Sequence, residues 1–335
     1  MTLSLGSIAF RGSGLTRPEC VLAHRSGWLF APCCAGPGGV SAISPSGETF
    51  HHLSEQNHDD VPDPLFPNGI ALEDGGSVLI AHLGRNRGGV YRLCPDGKTH
   101  RVTDTVEGRT MPPANYAVPD SRGRIWITVS TTVVPRADDY RPSAASGFIA
   151  LHEDGRTRIV ADGLGYTNEC LLSADEGTLW VNETFARRLT AFDVTEDGLA
   201  NRRTVAEFGP GTFPDGLAET ADGSLLVVSI VSNRVLRVWP DGEIETWIED
   251  SDPAHLDAVE AAFHEGRMGR PHLDVARSER LRNVSSIAFG GPDLKTAHLG
   301  CLLGDGIATF EAPVAGRPLP HWTHDIGPLL ARLDR

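Results

Sequence analysis

Along this chain short apolar runs alternate with polar turns, and the runs are too brief to be helices. One stretch shows the pattern: Gly69-Ile70-Ala71-Leu72, the turn Glu73-Asp74-Gly75-Gly76, then Ser77-Val78-Leu79-Ile80-Ala81. After a loop over 84–88 come Val90-Tyr91-Arg92-Leu93, the turn Pro95-Asp96-Gly97, and a last run from Thr99 to Val102. Short β-rich runs joined by Asp-Gly and Gly-Gly turns predict antiparallel hairpins. The unit then repeats. A polar residue stands just ahead of each first run: Glu19, Asn68, Asn115, Asn168, Asp215 and Ser285. The first five are spaced by 49, 47, 53 and 47 residues, and the last follows after 70. A four-stranded unit recurring at that length is the signature of a propeller blade. The expected fold is therefore all-β, a six-bladed β-propeller of four-stranded antiparallel blades, filling residues 1–335 as a single domain.

Two interruptions and one shortage refine this reading. Residues 255–282 carry apolar side chains at three- and four-residue spacing, in 256–263 and again in 275–281, which predicts a short helical insertion before blade six. It also explains the longer last spacing. A second insertion, 131–146, falls between two strands of blade three. In a four-stranded meander, the entrance to the inner strand and the loop between strands two and three share one face. Both insertions are thus expected over the ring of polar residues as a lid. Blade six has strands at 295–301 and 307–310, but 313–320 is rich in Pro and Gly. The segment from Leu3 to Phe10 is expected to supply its outer strand and close the circle.

Composition narrows the partners. With 40% hydrophobic and 22% charged residues the chain is globular, and no apolar run is long enough to span a bilayer. The start, Met1-Thr2-Leu3-Ser4-Leu5-Gly6, has no basic segment followed by a long apolar core, so a cytoplasmic location is expected. A formal charge of −14 disfavours nucleic acid and anionic membranes. A small molecule is the expected partner, and the oligomeric state is left open. The six cysteines show no C-x-x-C pair and read as free thiols, with Cys33-Cys34 as packing residues.

The polar ring carries the candidate chemistry. Glu19 and Asp215 offer carboxylates, and Asn115 and Asn168 offer amide oxygens. Hard oxygen donors suit Ca²⁺, Mg²⁺ or Mn²⁺. A cation held there can polarise a carbonyl and acidify water, with a carboxylate beside it as base or nucleophile. A plainer reading competes, since Asn-Gly and Asp-Gly also start turns. Pro-Asp-Gly occurs at 95–97, 214–216 and 240–242, and the first and last follow a strand as hairpin turns would. Only Asp215 precedes an inner strand. On register alone both readings stand.

Several motifs bear on the choice: Phe213-Pro214-Asp215-Gly216-Leu217, Leu179-Trp180-Val181-Asn182-Glu183-Thr184 with Arg188 and Phe192, and Pro67-Asn68-Gly69-Ile70. Asp120-x-x-Gly123-Arg124-x-Trp126 and 290–296 join them. In this order and spacing the chain resembles, over essentially its whole length, the gluconolactonase–regucalcin family, which includes senescence marker proteins and luciferin-regenerating enzymes. The resemblance implies a six-bladed propeller that hydrolyses lactones with one divalent cation. By position it implies Glu19, Asn168 and Asp215 as metal ligands, Asp215 as base or nucleophile, and Asn115 beside the cation. Ca²⁺ is expected first, with Mg, Mn, Zn or Fe as alternatives. Asn68, Asn115, Tyr116, Tyr140 and Glu183 are expected around the substrate, Glu183 orienting a ligand amide.

The departures shape the expected specificity. Cys20-Val21 stands where Gly-Pro or Ser-Pro is usual, Tyr116-Ala117 where Asp-Gly is, and Glu169 where Gly is. Pro113 replaces an Arg common in sugar lactonases. Loss of that charged rim points to a less polar lactone or ester. Arg85, Arg87, Arg136 and Arg141 read as solvated loop residues, with a substrate carboxylate as the alternative role. His82 and His298 read as packed structural histidines. A metal-dependent lyase or isomerase, or a non-catalytic binding propeller, are the competing functions.

Overall fold

The computed structural model describes residues 2–55, 61–62 and 64–333. They form six four-stranded antiparallel sheets arranged as the blades of a propeller, the first five each a meander running outward in chain order. Blade one is Leu22–Ala23, Leu29–Cys33, Gly39–Ile43 and Thr49–Leu53. The inner strands of blades two to six are Pro67–Leu72, Ala114–Pro119, Thr167–Leu172, Thr212–Glu219 and Val284–Gly290. These inner and second strands are buried along almost their whole length, because blades stack face to face. Between blades one and two, for example, Leu22, Phe30 and Val40 pack on Ile70, Leu72 and Ile80. Strands covered on both faces lose simple in–out alternation, which is why they appear in the sequence as continuous apolar runs.

Closure comes from the N-terminal segment, but with fewer residues than the sequence suggests. Ala9–Arg11 pairs antiparallel with Ile307–Glu311, with Ala9 opposite Thr309. Upstream, Leu5–Ser7 is a single 3-10 turn capped by Ser4, and the Leu3 amide donates to the Trp247 carbonyl of blade five. Residues 3–8 thus cross to the neighbouring blade instead of extending the strand.

The insertion before blade six is helical only in its first part. Pro253–His264 is an α-helix, capped by Asp252, whose side chain accepts from the Ala254 and His255 amides. Arg270–Leu273 forms one further turn. Residues 275–281, although apolar at helical spacing, are irregular. The buried Asp250 carboxylate accepts the Glu279, Arg280 and Leu281 amides at 2.7–2.8 Å, so this backbone wraps an anion instead of bonding to itself.

One of the motifs and both histidines prove architectural. In Asp120-x-x-Gly123-Arg124-x-Trp126 the Asp120 carboxylate accepts from Arg124 Nε (2.7 Å), Trp126 Nε1 (3.1 Å) and two turn amides, fastening a hairpin of blade three. His82 and His298 are buried, and burial lowers their pKa to about 4 and about 3. His82 Nδ1 accepts the Phe66 amide, while His298 Nδ1 bonds Thr309, so both serve as neutral packing groups.

Candidate active site

The inner strands of blades two to six are each irregular at their polar residue. The register with the second strand shifts between Pro67 and Ile70, Ala114 and Tyr116, Thr167 and Cys170, Pro214 and Leu217, and Val284 and Ser286. A bulge places two successive residues against one on the partner strand and re-aims their side chains. Here it recurs five times around the axis, so a ring of polar groups is built into the backbone.

The ring members are all buried: Glu19 is 4% exposed, Asn68 1%, Asn115 2%, Asn168 5% and Asp215 3%. Hydrogen bonds tie neighbours together. Asn68 Nδ2 donates to Glu19 Oε1 (2.8 Å) and to the Asn115 carbonyl (3.0 Å), while its Oδ1 accepts from Arg17 (2.9 Å). The Asn68 amide is therefore fully used, one of its bonds orienting Glu19. Asn168 Nδ2 donates to Thr184 Oγ1 (3.1 Å), which itself donates to the Pro214 carbonyl. Asn182 Nδ2 donates to the Asp215 carbonyl (2.9 Å). Ser285, the sixth member, donates to the Glu19 carbonyl (2.7 Å) and locks blade six to blade one.

Three oxygens are left over. Asn115 Oδ1, Asn168 Oδ1 and Asp215 Oδ1 are buried without a hydrogen-bond partner. Buried acceptors are almost always satisfied, so a cluster of orphaned oxygens fits a cation. Among the described residues no three His, Cys, Asp or Glu side chains group as a metal cage. The donor set is a mixed one, with two carboxylates and neutral amides, which is the chemistry of a hard divalent ion. Electrostatics agree. Burial pushes the Glu19 carboxyl up, opposed by Arg17, Asn68 and Arg136. Burial and then the Glu19 charge push Asp215 well above the usual carboxylate range.

The other predicted residues sit behind or above the ring. Tyr116 packs on Gly69, where a Cβ would lie 2.2 Å from its Cδ2, and lines a small apolar cleft at the opposite end of the channel. It is floor. Tyr140 is buried in the lid, with its ring 5.5 Å from Tyr166 and 5.0 Å from Phe185. Glu183 touches no ring amide among its bonds. It accepts from the Gly165 amide, Arg188, Thr190 and Arg202, holding the outer part of blade four together.

The two insertions meet over the mouth as expected. Tyr140 and Ala144 from the first join Val259, Ala262 and Phe263 from the helix, together with Tyr166, Phe185 and Phe213 of the blades. Glu260 latches the helix down, accepting from Arg187 (2.6 Å) and the Gly211 amide (2.7 Å).

Two site residues were not assigned from sequence. Glu169 follows Asn168 within a bulge, is 5% exposed, and accepts the Leu217 amide (3.0 Å). Burial, then Glu19 and Asp215, push its carboxyl well up. Its one signal was the replacement of a usual Gly. Arg17, two residues before Glu19, had none.

The site and fold define a six-bladed propeller with an oxygen-donor ring, and the comparisons name its class. Residues 51–249 match the SMP-30/Gluconolactonase/LRE-like region, and the chain belongs to that family. Lactonase drp35 of Staphylococcus saprophyticus is 28% identical over 181 residues, 51% of this chain and 52% of that protein. The chain thus spans about half the length of this curated relative. In solved structures, a gluconolactonase from Xanthomonas campestris is 18% identical with a TM-score of 0.65, covering 91% of this chain and 89% of that one. A calcium-binding regucalcin from Agrobacterium tumefaciens is 15% identical with a TM-score of 0.63, covering 93% and 97%. Both share the fold.

Proposed function

We propose that this protein is a divalent-cation-dependent hydrolase that opens a lactone. The observation that carries the reading is the set of orphaned buried oxygens on Asn115, Asn168 and Asp215 beside the Glu19 carboxylate. Glu19, Asn168 and Asp215 would hold the ion, Ca²⁺ first, with Asn115 directed at ion or substrate. When bound, the cation supplies a Lewis acid that polarises the ester carbonyl and acidifies water. The family membership and the lactonase relatives support the same class of reaction.

The chain's own residues set up the rest. Asn182 and Thr184 fix the backbone on either side of Asp215, so its carboxylate is presented at one place. Asn68 does the same for Glu19. Asp215 takes a proton from the attacking water as the water oxygen bonds to the carbonyl carbon. The ring C–O bond then breaks, and the proton passes to the departing alkoxide. Water plus lactone gives one hydroxy acid. Tyr140 and Phe263 of the lid, packed with Tyr166 of the blades, would keep bulk solvent from the ring and so strengthen the charge interactions inside. We assign the reaction to a small-molecule substrate and to a single propeller domain working in the cytoplasm, without nucleic acid or membrane.

Calorimetric titration of chelator-stripped protein with Ca²⁺, Mg²⁺, Mn²⁺ and Zn²⁺, followed by a lactone panel, tests this. One site per chain and chelator-sensitive hydrolysis are expected. A protein that binds none of the four ions sinks the proposal.

A further inference from the structure

The ring is flanked by two guanidinium groups: Arg17, which the sequence did not single out, and Arg136, which it read as a solvated loop residue with a substrate carboxylate as the alternative role. Arg17 reaches in from the connection into blade one: its Nη1 donates to Asn68 Oδ1 (2.9 Å) and its guanidinium lies 5.7 Å from the Phe66 ring centre. Arg136 comes down from the lid insertion. Its Nε donates to Tyr166 Oη (2.8 Å), its Nη2 reaches Ser130 Oγ (3.5 Å), and its guanidinium lies over the Tyr166 ring at 5.4 Å. Both cations are close enough to bias the Glu19 and Asp215 carboxyls. Among the described residues neither is paired directly with a carboxylate, whereas Arg141, on the same insertion as Arg136, is neutralised by Asp139 at 3.0 Å.

Arg136 also has a bond to give. Its Nη1 is buried with no hydrogen-bond partner. A guanidinium N–H left unsatisfied in a dry site is costly, and a planar acceptor such as a carboxylate satisfies it best. Charge counting leads the same way. Without an ion, Glu19 and Asp215 offset Arg17 and Arg136. A divalent cation on the ring would add two positive charges beside the two guanidinium groups, and an anion restores the balance.

We infer that the substrate is an anionic lactone, one bearing a carboxylate besides the ester, whose charged group meets Arg136 Nη1, with Arg17 as the second positive charge beside the ring. This rests on the lactonase reading and deepens it. It also revises the specificity expected from sequence. Pro113 does remove one rim arginine, but positive charge returns from two other places in the fold, and an uncharged, less polar substrate no longer fits.

The test uses a matched, non-hydrolysable pair, tetrahydrofuran-2-carboxylate and its carboxamide, titrated by calorimetry into the Ca²⁺-loaded protein. The carboxylate should bind about tenfold or more tightly than the amide, as one charge-assisted contact allows. Arg136→Gln should erase that preference and Arg136→Lys should keep part of it. In the same variant Ca²⁺ should bind several-fold more tightly, because a repelling charge near its ligands is gone. Opposite shifts in anion and cation affinity are not what a merely damaged lid would give. Equal binding of the two probes, binding of neither, or parallel loss of anion and Ca²⁺ affinity in Arg136→Gln overturns the inference. So does a protein that binds no divalent ion, since its arginines are then already balanced. Hydrolysis of neutral lactones without preference for carboxylated ones removes the anion site and leaves the lactonase. Arg136-dependent carboxylate binding with no lactone opened removes the lactonase and leaves the anion site.

Discussion

Replacing Asp215 by Asn separates two effects of the ring carboxylates. Asp215 is 3% exposed, its Oδ1 is unpaired, and Glu19 adds like charge. In cation-free protein this is an under-bonded buried carboxyl whose ionised form is disfavoured, and exchanging it for a neutral isostere should stabilise the fold by about 1–3 kcal/mol. An unfolding entropy of about 2.1 cal/mol/K per residue gives about 0.7 kcal/mol/K for 335 residues, hence a rise in melting temperature of about 1–4 °C. The cation acts in the opposite sense. At 100 times its dissociation constant a bound ion stabilises wild type by about 2.7 kcal/mol, about 4 °C on the same scale. That gain should disappear in Asp215→Asn. Scanning calorimetry of both proteins at about pH 8, with chelator and then with Ca²⁺, reads the two shifts separately. A variant that melts below wild type in chelator, yet still gains the full Ca²⁺ shift, would refute the argument that Asp215 is an uncompensated ligand.

Three further outcomes follow from the structure. Glu183→Gln leaves Arg188 and Arg202 facing a neutral amide and should cost about 2–3 kcal/mol in urea unfolding, with cation stoichiometry and affinity unchanged, since Glu183 serves the blade. His298 is held neutral by burial with its pKa lowered to about 3, so the unfolded chain takes up a proton first as pH falls. Stability present above about pH 6.5 is then lost on acidification, by about 2 kcal/mol at about pH 5, and unfolding of His298→Gln should show a flatter pH profile over that window. Glu260→Ala removes the latch on the lid helix, and amide exchange over Pro253–His264 should quicken about tenfold while blade strands stay unchanged.

The blades were legible because a propeller repeats one local pattern six times, and an Asp-Gly turn between apolar runs needs no distant information. The ring positions could be placed by register for the same reason. What register could not supply was the state of each polar group. Asn68 and Asn115 occupy equivalent positions, yet the first has its oxygen taken by Arg17 and the second leaves its oxygen free. That difference depends on a guanidinium arriving from another part of the chain. Glu183 was misplaced in the same way: it lies in a motif shared with the family, but two arginines of its own sheet claim its carboxylate. Residues 275–281 have helical spacing and are still not helical, because Asp250, more than twenty residues away in sequence, offers their amides a stronger acceptor.

The pairing of Ala9 with Thr309 also sets a clock. The two positions are 300 residues apart, and at about 5–20 residues per second a ribosome needs about 15–60 s to pass from one to the other. Throughout that interval blades one to five can form in order, while 9–11 has no strand to join and 307–311 does not yet exist. The ring, with Glu19 at one end of the circle and Ser285 at the other, is completed only once the inner strand of blade six has been made. A nascent chain stalled before blade six would therefore carry Glu19, Asn168 and Asp215 without the closed circle that holds them together.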